Sequence, residues 1–270
     1  MPRSAKVLVA LGLILIGTGA GLLLAQWIGH DAAPAPDAVT THGEWVRFAN
    51  ADGDSVSAYV AYPERQGTAP ALIVVHEIFG LSDWEPTVAD NFAAKGYVAI
   101  APDLLSARYG STRAMGDSAR RLVSLLSAAE VNRDLDATYR YVNALPATET
   151  GNVGVIGFCW GGGTVWTYAS HNPDLKAAVV CYGPLADSTM LRTVKAPVLG
   201  VYGQNDGRVT NSLPTIVRMM SEMGKPFAAD SYAGTGHGFL RPGRRGSGTT
   251  ESDRAWSDID AFVARRLEGK

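Results

Sequence analysis

The chain has 270 residues, 46% of them hydrophobic and 19% charged, with a formal net charge of −2. These values allow one large domain with a well-buried core, and the near-neutral balance argues against nucleic acid, whose binders carry a basic face. Two cysteines, Cys159 and Cys181, and no CxxC pair exclude both a disulfide scaffold and a thiolate zinc site.

Arg3 and Lys6 precede an uncharged run from Val7 to about Ile28. About 20 such residues span a bilayer as a helix, and the basic flank would stay in the cytoplasm, leaving everything after Ile28 outside it. A cleaved secretory signal is the competing reading, since its basic start and apolar middle look the same. The run is long for a signal, and Ala33-Pro34-Ala35 is followed by Pro36, which should block cleavage. Both readings predict an extracytoplasmic protein. Residues 1–28 are the anchor or signal, 29–40 a small, polar, Pro-rich linker, and 41–270 the folded domain.

Within the domain, Glu44–Ala49 and Ser55–Tyr62 read as a hairpin around Asp52-Gly53. Apolar strands and amphipathic helices then alternate. Ala71–His76 is a continuous apolar strand, Asp83–Lys95 a helix with Asp83 near its N-cap, and Tyr97–Ala101 the next strand. Ser118–Asn143 reads as helix in two pieces, Asn152–Phe158 as strand and Gly161–His171 as helix. Strands at Ala177–Tyr182 and Pro197–Tyr202, a helix at Leu213–Met223, a strand at Phe227–Tyr232 and a last helix at Ser252–Leu267 complete the series. Repeated βα units imply a mostly parallel sheet with helices on both faces, and a site beyond the carboxyl ends of the strands.

Gly157-Phe158-Cys159-Trp160-Gly161-Gly162 joins a strand to a helix in the pattern of a nucleophile elbow, with Cys in place of Ser. The turn sets the sulfur at the positive end of the helix, which favours its anionic form, and the Trp160 N–H can donate to an oxyanion. Cys181 lies inside an apolar strand and reads as core. A cysteine nucleophile needs a base, and the base an orienting acid, in the chain order nucleophile, acid, histidine. Of five histidines only His237 lies beyond an acid candidate, in the glycine-flanked loop after the final strand. Asp206, after the strand Pro197–Tyr202, supplies the acid that orients it.

These segments, together with His76-Glu-Ile-Phe-Gly80, Gly96-Tyr97, Ala101-Pro-Asp-Leu104, Gly203-Gln-Asn-Asp206 and Gly236-His-Gly-Phe239, resemble the dienelactone hydrolase family from about residue 44 to 267. The resemblance implies an α/β-hydrolase fold, here preceded by an N-terminal hydrophobic helix, and hydrolysis of a lactone or ester through a cysteinyl acyl-enzyme. It implies no metal and no cofactor. It further implies that Glu77 holds the resting Cys159, and that the Ile78 N–H is the second oxyanion donor. Arg241, with Arg120 or Arg121, should bind a substrate carboxylate, because the guanidinium fork matches that group. His76 departs from the residue at that position in the well-known members. The expected partner is a small, anionic ester or lactone acted on by a monomer, with the membrane as a second partner if residues 1–28 remain. An esterase or thioesterase with another acyl group, a non-catalytic tethered binding domain and a redox pair of cysteines are the alternatives.

Overall fold

The computed structural model describes residues 42–270, so the expected N-terminal hydrophobic helix and the linker lie outside the described residues. Among the described residues no helix is long and apolar enough to cross a membrane. The strands are β1 (His42–Ala49), β2 (Ser55–Tyr62), β3 (Ala69–Val75), β4 (Val98–Asp103), β5 (Thr148–Phe158), β6 (Ala177–Cys181), β7 (Val198–Gly203) and β8 (Phe227–Tyr232). The helices are α1 (Trp84–Ala94), α2 (Ser106–Tyr109), α3 (Ala119–Val123), α4 (Ala128–Asn143), α5 (Trp160–His171), α6 (Gly207–Thr210), α7 (Leu213–Glu222) and α8 (Thr250–Leu267). One eight-stranded sheet has the order β1-β2-β4-β3-β5-β6-β7-β8. It is antiparallel from β1 through β2 to β4 and parallel thereafter.

Successive strand residues point to opposite faces, and here both faces are covered. Along β3, Ala69, Ala71, Ile73 and Val75 enter one core, with Val153 and Val155 of β5. Leu135 of α4, Trp166 of α5 and Met220 of α7 close that face. The alternate residues Leu72 and Val74 enter the other core, with Ile156 and Phe158, under Phe92 of α1 and Ile259 and Val263 of α8. Burying one such aliphatic side chain contributes about 1.5–3 kcal/mol, against about 0.3–0.5 kcal/mol for an exposed i,i+4 ion pair such as Arg218–Glu222. The buried strands therefore set the fold, and surface charge is secondary.

Two local features differ from the sequence expectation and a third agrees with it. β3 stops at Val75, so His76, expected as its last residue, stands beyond the strand end with Glu77. The middle helical segment does divide, because Ser127 and Glu130 form a reciprocal capping box that starts α4 afresh. Asp83 makes no side-chain cap on α1 and instead pairs with Arg113, while Ser82 and Glu85 organise the loop before that helix.

Candidate active site

The tip of β5 carries the sulfur. Cys159 is the N-cap of α5 with φ 55° and ψ −113°, a conformation that costs a non-glycine residue on the order of 1–3 kcal/mol. The surrounding glycines make it possible. A Cβ on Gly157 would lie 2.3 Å from the Gly161 oxygen, and one on Gly161 would lie 2.4 Å from the His76 oxygen. Strand, turn and helix start thus pack backbone against backbone, and the Cys159 side chain is held up at the carboxyl end of the sheet. The Cys159 N–H donates to the Cys181 oxygen at 3.0 Å, pinning the turn to the neighbouring strand.

His237 and Asp206 arrive on two adjacent loops, tied together by the Asn205 N–H donating to the Thr235 oxygen at 2.9 Å. His237 Nδ1 lies 2.5 Å from Asp206 Oδ2, and its Nε2 lies 3.0 Å from Cys159 Sγ. A carboxylate accepts and does not donate, so Nδ1 carries the proton and donates, leaving Nε2 facing the sulfur. Burial opposes charge on this ring. Its hydrogen bonds to Cys159 and Asp206 outweigh that effect, and His237 titrates above its ordinary value. Tyr182, the other non-glycine residue with positive φ (41°) among the described residues, packs its ring edge-on against His237 at 5.2 Å.

Among the turn and cap hydrogen bonds, none uses the N–H of Ile78 or of Trp160. The Trp160 N–H, as the first of α5, has no intrahelical partner and belongs to the positive end of that helix. Ile78 and Cys159 line the same cavity, of about 260 Å³, together with Glu77, Phe79, Arg120, Arg208, His237, Gly238 and Arg244.

The family resemblance implied that Glu77 holds Cys159, but the two are not bonded here. Its Oε2 accepts from Arg241 Nη1 at 2.7 Å, while His237 takes the sulfur. Burial raises the Glu77 carboxyl above its ordinary range; Arg241 pulls it back, and the nearby Glu85 charge adds to the rise. A buried carboxylate gains more from a guanidinium than from a thiol, which explains the exchange of partners. Arg241 is accordingly engaged and does not line the cavity. Of the two remaining arginine candidates, Arg120 reaches the cavity and Arg121 does not.

A model of the dienelactone hydrolase family matches residues 56–267. The chain belongs to the dienelactone hydrolase family. Its curated relatives in that family include a protein of Methylorubrum extorquens named "Putative carboxymethylenebutenolidase", 35% identical over 233 residues that cover 80% of this chain and 79% of the relative. A Bradyrhizobium protein named "Probable 2-oxo-3-(5-oxofuran-2-ylidene)propanoate lactonase" is 27% identical, with 84% of this chain and 96% of the relative covered. A crystal structure titled as a dienelactone hydrolase ("Putative") from Klebsiella pneumoniae superposes with a TM-score of 0.77 at 29% identity, covering 84% of this chain and 99% of the other. This dienelactone hydrolase family member is therefore a carboxymethylenebutenolidase-like hydrolase with an α/β-hydrolase fold.

Sequence reasoning brought Cys159, His237 and Asp206 to one point and placed Glu77, Ile78 and Trp160 around it. It missed Glu85, Ser82 and Tyr182, and it gave no role to Arg208 or Arg244. A signal existed for two of these. Arg208 follows the acid by two residues and Arg244 shares the loop of His237, so both had to lie near the triad.

Proposed function

We propose that the chain hydrolyses a lactone or carboxylic ester through an acyl-enzyme on Cys159. The observation that carries this reading is the single His237 ring spanning Asp206 at 2.5 Å and Cys159 at 3.0 Å. With His237 taking the thiol proton, the sulfur attacks the carbonyl carbon and the N–H groups of Ile78 and Trp160 receive the oxyanion. The C–O bond breaks, and the leaving oxygen takes the proton back from the imidazolium. His237 then removes a proton from water, which attacks the thioester; the acid departs and the sulfur is regenerated. Asp206 keeps the ring in the required tautomer and stabilises its charged form. Losing one oxyanion donor in such a site costs about 10²–10³ in rate.

Intact mass after rapid mixing with activated esters and unsaturated lactones tests this reading. The expected result is a transient mass gain equal to the acyl group, absent in Cys159→Ala. Turnover that persists undiminished in Cys159→Ala would overturn it. Residues 1–28 are proposed to carry the domain out of the cytoplasm, as an anchor or a cleaved signal. The mass of the exported protein distinguishes those two forms, and recovery in the cytoplasm with the segment intact would exclude both.

A further inference from the structure

His76 is fully buried, and its ring makes two contacts, each to a part of the proposed oxyanion site. Its Nδ1 lies 2.7 Å from the Glu77 carbonyl oxygen. A carbonyl only accepts, so Nδ1 carries the proton and donates. The ring also stacks on the Trp160 indole, with centroids 5.3 Å apart and planes 12° from parallel. Nε2 meets no protein donor or acceptor among the described residues, so the carbonyl and the indole are what orient the ring.

The carbonyl that His76 engages belongs to the same peptide unit as the Ile78 N–H. That unit is planar, and its C=O and N–H point in opposite directions. Fixing the oxygen therefore fixes the direction of the N–H. A second bond holds the same oxygen, from the Gly80 N–H at 3.2 Å, across a turn in which Gly80 has φ 74°. Donors on the oxygen also polarise the peptide in this dry setting and strengthen its N–H as a donor. On the other side of Glu77, its own N–H donates to Oε1 of the buried Glu85 at 3.3 Å. Trp160 reaches the same place through close backbone packing. A Cβ on Gly161, the next residue, would lie 2.4 Å from the His76 oxygen and 2.5 Å from the Val75 oxygen.

Resting on the proposed acyl-enzyme and its oxyanion donors Ile78 and Trp160, we infer that His76 is a positioning residue for both donors. One buried imidazole aims the Ile78 N–H through the Glu77 carbonyl and braces Trp160 through the stack. Its task differs from that of His237, for it touches no reacting atom and carries no proton between steps. The donors are instead held in place before charge develops, which is what makes them effective.

The test compares a step that builds an oxyanion with one that does not, on the full chain. Acylation by para-nitrophenyl acetate passes through a tetrahedral oxyanion, whereas iodoacetamide loses iodide from a CH₂ carbon and builds none. Both reactions start from the Cys159 sulfur, so their ratio on one sample cancels any loss of folded or ionised protein. His76→Leu removes donor and ring; His76→Asn removes the ring but returns an N–H near the place of Nδ1. In His76→Leu, single-turnover release of para-nitrophenolate should slow about tenfold, against about 10²–10³ for loss of a whole donor, with Cys159 alkylation changed by no more than about twofold. His76→Asn should recover most of that loss. His76→Phe, which keeps a ring over the indole without the donor, replaces the leucine variant if the latter does not fold. Unchanged acylation in the donorless variant, alkylation slowed in step with acylation, or an asparagine variant no faster than the donorless one would overturn the role of His76 and leave the cysteine mechanism standing. A wild type that gains no acetyl mass on Cys159 would overturn both readings.

Discussion

The two cysteines lie one strand apart, joined by a backbone hydrogen bond of 3.0 Å, and nothing else about them is alike. Cys181 closes β6 in regular extended structure, fully buried, and burial pushes its thiol well above the ordinary range. Cys159 sits past the end of β5 at positive φ, partly exposed, with a histidine 3.0 Å from its sulfur. The same side chain is core material in one place and a candidate nucleophile in the other. Backbone position decides the difference: a strand interior removes a thiol from water and partners, whereas a strained turn at a strand end gives it both.

The strongest way to break this comparison is to remove each sulfur in turn. Cys159→Ala should lower kcat by about 10⁶, as loss of a nucleophile does in comparable triads, while Cys181→Ala should keep turnover within a few-fold. Steady-state kinetics on active esters checks both. Asp206→Asn should lower kcat by about 10⁴ with the fold retained, because an uncharged amide, which can donate as well as accept, no longer enforces the proton on Nδ1. Alkylation by iodoacetamide at neutral pH, followed by peptide mass mapping, should label Cys159 at least about 100-fold faster than Cys181, since the thiolate is the reacting form.

Two smaller effects sharpen the comparison through stability. Gly157→Ala places a Cβ 2.3 Å from the Gly161 oxygen, and overpacking of this kind should cost about 1–3 kcal/mol in denaturant unfolding, whereas Cys181→Ala removes only a buried sulfur and should cost about 1 kcal/mol. The folded-state titration of His237 lies above its ordinary value, so its protonation stabilises the folded state. That contribution is fully present below the unfolded value near 6.5 and is lost as pH rises through the folded one. The Tm gap between wild type and His237→Ala should therefore be wider at pH 6 than at pH 9, by a few degrees at most. An unchanged gap would contradict the coupled ring.

Much of the fold was legible because its signals are local. Parallel strands buried on both faces read as unbroken apolar runs, and Gly-Phe-Cys-Trp-Gly-Gly reads as an elbow because no side chain other than hydrogen fits between strand and helix there. Chain order then singled out Asp206 and His237, for only one histidine follows an acid at a strand end. The partner of Glu77 was not legible. Arg241 stands 164 positions away, and the choice between it and Cys159 depends on how deeply the carboxylate is buried. Glu85 is a similar case: at the start of an amphipathic helix it reads as an ordinary first-turn acid, yet the loop before α1 folds over it and makes it a hub.

The sequence by itself determined the layered architecture, the elbow and the three residues that meet there, because each depends on periodicity, steric size or chain order. Only the tertiary structure decided which arginine is bound and which are left facing the cavity. That choice depends on distances between loops far apart in the chain, and on a desolvation cost that no local pattern records.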